Sequence, residues 1–460
     1  MFKISLILFL TVLLFGIIHP CAKAVGDPFS VPNNKFGIHI ADPVDLDDAA
    51  KLVNSTGGDW GYVTFVIRND ERDTKRWQKV FDKCRNLHLI PIVRLASHLE
   101  NGNWIKLSLD EIDGWVSFFN SLTWVTQNRY IIIGNEPNHA EEWGGEVNPA
   151  EYTLYLRTIS QKLKQTNDDY FILPAGLDAS APNSKTSMEE SLYLQKMVET
   201  DVNIFDEVDG WTSHSYPNPA FTGSEYATGR GTIKTYQWEL DYLKNLGVQK
   251  NLPVFITETG WAHNVVGKEN LTSIDKIAGK LAYAFNNVWS DNKIVAVTPF
   301  ILGYQEPPFD VFSWKDKSGN FYDFYSQVQA LPKTKGEPIQ IQQGKILAIL
   351  AQPVLLTSSI FPGVAFVENT GQSVWDVNNI ILKENASSDI VISETSLSEI
   401  QPNEVGLITF KAKTASRNKF SVFSVAIFSN KNTVISNIYK LPIVTIFPSL
   451  MNLNLIFDTI

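Results

Sequence analysis

The sequence predicts an α/β protein in which a (β/α)8 TIM barrel is followed by a C-terminal all-β sandwich of immunoglobulin-like type. Over residues 25–331, short apolar runs alternate with amphipathic stretches, which indicates strand–helix units and a parallel sheet. A linker rich in Pro, Gly, Lys and Gln follows at 332–344. From 345 to 460, short apolar segments are separated by Asn, Gly, Ser and Pro clusters, which favours a sandwich of short strands.

Eight candidate strands in the first region justify the barrel, because eight strand–helix units over roughly 300 residues are what this fold requires. The candidate strands are 36–40, 62–67, 89–95, 130–135, 170–176, 208–214, 253–258 and 294–300. Amphipathic candidates between them, with apolar residues at helical spacing, are 73–87, 148–165, 188–199, 231–246 and 271–289.

The C-terminal region is predicted to contain six short strands, at 361–367, 380–383, 389–393, 405–411, 420–428 and 433–439. The last twenty residues, 441–460, are apolar but interrupted by Pro442 and Pro448. We interpret them as further sandwich strands, with a membrane anchor as the alternative.

The N-terminal segment 1–24 has the features of a secretory signal peptide. Lys3 precedes a long uncharged run, and Ala22-Lys23-Ala24 matches the small-residue cleavage pattern. An uncleaved anchor is the alternative, but the apolar run is short for a bilayer span. Cleavage predicts a secreted, extracellular or cell-surface protein. It also removes Lys3 and Lys23 and so moves the formal charge from −10 to −12, which gives no electrostatic reason to expect nucleic acid.

Two of the candidate strands deliver a glutamate at their C-terminal ends. The run Ile131–Ile133 leads to Asn135 and Glu136, and a second apolar strand leads to Glu258, 122 positions further along. Burying a carboxylate beside such a strand is costly unless it has a partner or a use. Because the C-terminal strand ends of a barrel converge on one face, the two carboxylates are expected to meet there.

Three short motifs then resemble the retaining glycoside hydrolases of clan A, the group of cellulase-, mannanase- and β-glycosidase-like barrels. They are Asn135-Glu136-Pro137 on strand 4, His214-Ser215-Tyr216 on strand 6 and Glu258-Thr259-Gly260-Trp261 on strand 7. One such motif is a weak signal, but three in the right strand order are specific. The resemblance covers the barrel and leaves the C-terminal domain outside it.

The resemblance implies the roles of the polar residues. Glu258 would be the nucleophile and Glu136 the acid/base, with an ionised Glu258 favouring the protonated form of Glu136. Asn135 would bind the sugar 2-hydroxyl and Tyr216 would touch the nucleophile. His214 is expected in the substrate-binding set, although a structural, hydrogen-bonded role is the alternative.

Two further assignments depend on residue type and position. A guanidinium would help to keep Glu258 ionised, and Arg94 is favoured over Arg68 for this part. Trp143, in the loop after the acid/base, and Trp261, beside the nucleophile, are predicted to bind substrate by stacking on sugar rings.

The sequence therefore favours a secreted retaining glycoside hydrolase that cleaves a β-linked polysaccharide or oligosaccharide by double displacement. A transglycosylase would share every catalytic residue, and a non-catalytic carbohydrate-binding barrel would share the groove. The expected partner is carbohydrate, with no nucleic acid, no cofactor, no metal, and no membrane contact beyond the signal peptide or a surface anchor. Sugar, linkage, endo or exo action and oligomeric state are left open.

Overall fold

The computed structural model of the protein describes residues 25–385 and 389–447. The predicted signal peptide and the end of the C-terminal tail, 448–460, lie outside the described residues and stay predictions. Within the described part of the chain, no helix has the length and apolar character needed to cross a membrane.

Eight parallel strands form the N-terminal part of the protein. They are β1 Gly37–His39, β2 Gly61–Arg68, β3 Leu89–Ala96, β4 Arg129–Ile133, β5 Tyr170–Pro174, β6 Trp211–His214, β7 Val254–Glu258 and β8 Ile294–Val297. Strands β1 to β5 pair in chain order, and so do β6 to β8. Parallel bridges from Phe36 to Val297 and from Asp178 to His214 join the two sets into a ring.

Helices alternate with these strands. They are α1 Leu46–Val53, α2 Thr74–Asn86, α3 Ile112–Ser121, α4 Pro149–Thr166, α5 Glu190–Thr200, α6 Thr235–Asn245, α7 Ile274–Tyr283 and α8 Asp323–Gln329. The start of α4 shows how local sequence sets a boundary: the Asn148 side chain accepts a hydrogen bond from the Glu151 backbone N–H, and Pro149 follows at the first helical position. The predicted barrel is confirmed, and α1, α3 and α8 are additional to the five helices named from sequence.

The barrel has two apolar layers because neighbouring side chains of a strand point to opposite faces. In β4, Tyr130 and Ile132 belong to a cluster inside the barrel, together with Phe171 and Phe255 from β5 and β7. Ile131 belongs to the larger cluster between the strands and the helices. The strand is therefore buried on both faces, as its unbroken β-branched run predicts.

The C-terminal part consists of two four-stranded sheets. Its strands are β9 Gly344–Leu350, β10 Val354–Leu356, β11 Ile360–Asn369, β12 Ile380–Glu384, β13 Val391–Leu397, β14 Val405–Lys413, β15 Lys419–Ser429 and β16 Tyr439–Ile446. The sheet orders are β9-β11-β14-β13 and β10-β16-β15-β12, and one apolar cluster takes side chains from both sheets. The immunoglobulin-like type of this region stays a prediction.

Two details of the C-terminal prediction are wrong. The prediction lacks strands β9 and β10, which are short apolar segments between the linker and the first predicted strand. The predicted strand 433–439 is mostly irregular, and the last strand begins at Tyr439. There the chain forms only an isolated bridge between Phe428 and Val434.

The two parts of the chain are joined at the loop that precedes β4. The side-chain amides of Gln340 and Gln372 donate to the backbone carbonyls of Val125 and Thr126, each at 2.8 Å. The Gln127 N–H donates to the carbonyl of Ile339, also at 2.8 Å. This loop lies at the N-terminal ends of the barrel strands, so the sandwich contacts the end of the barrel opposite to the C-terminal strand ends.

Truncation inside the barrel provides a test of the packing. Phe171→Ala removes a ring whose centroid lies 5.0 Å from that of Tyr130 and 5.5 Å from that of Phe255. We expect a loss of about 3–5 kcal/mol in the free energy of unfolding, measured by urea denaturation. Leu154→Ala is the control, because Leu154 lies on α4 and is 52% exposed. This variant should change the free energy of unfolding by less than about 0.5 kcal/mol. Equal losses in the two variants would contradict the assigned core.

Candidate active site

The turn after β4 places Glu136 at the C-terminal face of the barrel. Gly134 has φ = 86°, a conformation that glycine adopts without strain, and Glu136 itself has φ = 29°, where a non-glycine residue is strained. Backbone hydrogen bonds hold the strained residue, because its N–H donates to the Gly176 carbonyl at 3.0 Å and its carbonyl accepts from the His139 N–H at 2.8 Å. The turn is thus built to present one carboxyl group.

Glu258 is the last residue of β7 and is only 8% exposed. Its Oε1 accepts a hydrogen bond from Nη1 of Arg94 at 2.7 Å, and its Oε2 accepts one from the Tyr216 hydroxyl at 3.1 Å. The Nδ1 atoms of His39 and His214 each lie 3.9 Å from one of its oxygens. Three other strands, β1, β3 and β6, therefore contribute groups around this carboxylate at the end of β7.

These neighbours determine the charge of Glu258. Burial by itself would raise the pKa of its carboxyl group, but the positive charges of His214 and Arg94, together with the hydrogen bond from Tyr216, lower the pKa below its ordinary value. His39 is itself neutral at physiological pH, since burial lowers its pKa to about 3. Glu258 is consequently ionised in the folded protein.

Glu136 has a different partner. Its Oε1 lies 2.6 Å from Nδ1 of His214, so a proton lies between these two atoms. Burial would lower the pKa of His214, but the charge of Glu258 and the hydrogen bond to Glu136 raise it above its ordinary value. Gly176 makes room for the imidazole, because a Cβ at that position would come within 2.2 Å of the ring.

The two carboxylates are close together. Glu136, His214 and Glu258 offer oxygen and nitrogen atoms that all lie within 4.8 Å of one another. A group of this kind could hold a metal ion. Here, however, the Arg94 guanidinium already occupies Glu258 with a positive charge, which opposes the binding of a further cation.

The structure decides between the two candidate arginines. Nη1 of Arg94 donates to both Glu258 and Oδ1 of Asn135, the latter at 2.6 Å. Arg68 instead pairs at the surface with Asp70 and Glu71. Arg94 points inward because β3 alternates, with Ile90 and Ile92 on the same interior face. The residue favoured from sequence is the one that contacts the carboxylate.

The predicted sugar-stacking roles of Trp143 and Trp261 are wrong for this structure. Trp143 is 1% exposed and packs against Tyr152 at a ring-centroid distance of 5.6 Å. Trp261 is 3% exposed, and its Nε1 donates to the backbone carbonyl of Gly223 at 2.8 Å. A buried ring offers no free face to a sugar, so both tryptophans act as packing residues that hold loops.

Sequence reasoning missed a third carboxyl group in the site. Glu142 lines a small cavity together with Asn135. Burial raises the pKa of Glu142 to about 7, with Arg94 opposing the rise and the charge of Glu136 adding to it. The sequence offers no signal for this placement.

Phe300 was also missed as a site residue. It follows β8, and its ring meets that of His39 edge to face at a centroid distance of 5.1 Å. It is half-buried and begins an aromatic cluster that extends away from Glu258. The sequence prediction places Phe300 inside the candidate strand 294–300, whereas the strand ends at Val297.

Comparisons with known proteins identify structural neighbours of low similarity. No protein-family model matches the chain, and no curated protein matches it. Similar solved structures include a GH128 (subgroup II) endo-β-1,3-glucanase from Pseudomonas viridiflava, 15% identical, covering 65% of this chain and 98% of that chain with a TM-score of 0.42. A family 51 α-L-arabinofuranosidase from Bifidobacterium longum is 9% identical and covers 83% of this chain and 96% of that chain, with a TM-score of 0.43.

A GH5_18 variant from Bifidobacterium longum subsp. longum is 10% identical and covers 71% of this chain and 82% of that chain, with a TM-score of 0.34. The structural neighbours are thus clan A glycoside hydrolases with a TIM-barrel fold, at low sequence identity. At these identities, the residue roles and substrates of the neighbours do not transfer to this chain.

The first prediction from the site concerns Arg94. Arg94→Met removes a positive charge that lowers the pKa of Glu258, so we expect that pKa to rise, which means that the carboxylate becomes protonated at a higher pH than in the wild type. NMR titration of 13C-labelled glutamate carboxyl groups measures the shift. Arg68→Met is the matched control, because Arg68 has no contact with Glu258, and an equal shift in the control would contradict the assignment.

The second prediction concerns Glu142. A carboxyl group whose pKa is raised in the folded protein stabilises the fold fully below its ordinary pKa, and this stabilisation is lost as pH rises toward the folded value. We expect the free energy of unfolding to fall between pH 4.5 and about 7, and Glu142→Gln to remove part of that fall. Urea denaturation across this range is the measurement, with Glu141→Gln at the exposed neighbour as control. Parallel pH profiles for wild type and Glu142→Gln would show that Glu142 has an ordinary pKa.

Proposed function

We propose that the protein is a secreted retaining glycoside hydrolase that cleaves a β-linked polysaccharide or oligosaccharide, with Glu258 as nucleophile and Glu136 as acid/base. The observation that carries the proposal is the pair of carboxylates, whose oxygens approach within 4.8 Å while their partners differ. Retaining enzymes hold these groups about 5–5.5 Å apart, and inverting enzymes about 6.5–9.5 Å. The short separation favours double displacement.

In the first step, a carboxylate oxygen of Glu258 attacks the anomeric carbon and forms a glycosyl–enzyme ester. The bond from that carbon to the leaving oxygen breaks, and its electron pair takes up a proton from Glu136. The short contact between Nδ1 of His214 and Oε1 of Glu136 keeps a proton next to the Glu136 carboxyl group, where it is available for the leaving group. The Tyr216 hydroxyl steadies Glu258 in the orientation for attack.

In the second step, Glu136 takes a proton from a water molecule, whose oxygen attacks the anomeric carbon. The ester bond to Glu258 breaks, and its carboxylate returns with the configuration of the sugar retained. Arg94 stabilises the carboxylate as a leaving group, since the same guanidinium that keeps its pKa low also stabilises it as an anion. A sugar hydroxyl in place of water would make the enzyme a transglycosylase with the same residues.

Asn135 is the substrate-binding residue closest to the acid/base in this proposal. Its side-chain oxygen accepts a hydrogen bond from Arg94, and Glu142 lines the same small cavity, so its orientation is set before substrate arrives. A hydroxyl on the attacked sugar would take over part of this hydrogen bonding. Because the Glu142 carboxyl is largely neutral below about pH 7, it adds no third full negative charge there.

The C-terminal sandwich is proposed as an immunoglobulin-like accessory domain outside the catalytic step. Its contacts with Val125, Thr126 and Gln127 lie at the barrel end away from Glu136 and Glu258. It therefore contributes no side chain to the catalytic pair. Secretion is proposed from the cleavage pattern at Ala22-Lys23-Ala24.

The function is tested by the turnover of aryl β-glycosides and of β-glucan, mannan, xylan and galactan. We expect wild-type activity, and a loss of about 10⁴-fold in kcat in Glu258→Gln, because covalent catalysis stops without its nucleophile. A Glu136→Ala variant should regain turnover of activated aryl glycosides when azide is added. Glu141→Gln, an exposed neighbour of the site, is the control and should keep full activity.

The stereochemistry of the first product separates the mechanisms. NMR of the fresh hydrolysate should show the β-anomer before mutarotation. An α-anomer, or full activity in Glu258→Gln, would refute the retaining assignment. If the wild type turns over no substrate but still binds a polymer, and the variants bind it equally, the protein is a binding barrel.

A further inference from the structure

An aromatic surface adjoins Glu258 and has no part in the steps described above. It is called the aromatic wall here and consists of Phe221, Phe300, Tyr304, Phe309 and Phe312. Phe221 comes from the loop after β6, and the other four come from the segment after β8. Loops at the C-terminal strand ends are where a barrel builds its binding groove.

The wall begins at the two neighbours of the nucleophile. The Tyr216 ring lies 5.0 Å from that of Phe221, and its hydroxyl binds Glu258. His39, on the other side of the carboxylate, meets Phe300 at 5.1 Å. The wall is therefore continuous with the catalytic groups.

Ring contacts run outward without a gap. Phe300 lies 5.3 Å from Phe309, which lies 5.5 Å from Tyr304. Phe221 joins the same set through Phe312, at 5.1 Å. These edge-to-face arrangements fix the rings in place before any ligand binds.

The outer members are partly exposed. Phe221 is 37% exposed and Phe309 is 41% exposed, whereas Phe312, which packs against Phe221, is buried. A single exposed phenylalanine needs no explanation, but two that belong to one set of ring contacts beside Glu258 form a patch. Aromatic rings that converge on a site are typical of ligand-binding clefts.

The conformation of the Phe221 loop costs energy. Ala220 and Phe221 have φ values of 52° and 58°, a region that bulky residues rarely adopt. The loop is held there by the Ala262 N–H, which donates to the Phe221 carbonyl at 3.0 Å, and by Trp261, which donates to Gly223. A strained backbone conformation that surrounding hydrogen bonds hold in place is characteristic of functional sites.

We propose that Phe221, Tyr304 and Phe309 form a subsite that binds a sugar ring of the glycan next to the ring that Glu258 attacks. This inference rests on the proposed glycosidase function and adds which side chains hold the neighbouring sugar. The apolar C–H face of a pyranose ring covers the exposed phenylalanine faces, and its hydroxyl groups point to solvent and to the Tyr304 hydroxyl. The wall thus selects substrates of two or more sugars.

The test compares two substrates of the same sugar. A glycosyl fluoride has a one-atom leaving group and fills only the site of attack, whereas a tetrasaccharide also reaches the wall. In Phe221→Ala and Phe309→Ala, we expect KM for the tetrasaccharide to rise about three- to ten-fold each, with kcat and KM for the fluoride unchanged. Phe309→Tyr should restore the wild-type KM.

The matched control is Phe29→Ala. Phe29 is 42% exposed and lines a surface cavity beside Leu252 and Pro253, at the opposite end of β7. This variant should leave both substrates unaffected.

Each result has one meaning. An unchanged tetrasaccharide KM in both alanine variants, with normal fluoride turnover, overturns the subsite and leaves the glycosidase proposal standing. An equal loss on both substrates means that the rings only support Tyr216, which also overturns the subsite. If the wild type hydrolyses neither substrate for any sugar of the panel, the glycosidase proposal fails and the subsite fails with it.

Discussion

The buried negative charge of Glu258 is the constraint on which the rest of the site depends. A carboxylate at the end of a barrel strand is stable only if positive charge and hydrogen-bond donors reach it. Arg94 supplies the charge from β3, and the same Nη1 also holds Asn135 after β4. One guanidinium therefore positions both Glu258 and the residue beside Glu136, so the geometry of the site depends on the pairing of β3 with its neighbouring strands.

Glu136 is positioned by different means. It sits on a strained turn and meets His214, whose approach requires the absence of a side chain at Gly176. The two carboxyl groups thus have separate partners: a guanidinium for Glu258 and an imidazole for Glu136. Different partners are what the proposed mechanism requires, because they push the pKa values of two identical side chains apart.

The tryptophan and phenylalanine side chains around the site differ in exposure. The large rings of Trp143 and Trp261 are buried and hold the loops after β4 and β7. The smaller rings of Phe221 and Phe309 are the ones left open to solvent. The sandwich, docked at the far end of the barrel, takes no part in this arrangement and leaves the groove entirely to the barrel loops.

The sequence by itself determined the strand order and the meeting of Glu136 with Glu258. Eight apolar runs at regular intervals require a parallel ring, and glutamates that directly follow two such runs must meet at its C-terminal face. Strands β9 and β10 escaped prediction because they are short apolar segments directly after the linker, and only their pairing with β11 and β16 defines them as strands. Only the tertiary structure decided that Glu142 joins the site, that Arg94 rather than Arg68 reaches Glu258, and which aromatic rings are exposed. Those outcomes depend on packing between segments far apart in the chain. The residues that adjoin a position in sequence do not indicate which distant segment will pack against it.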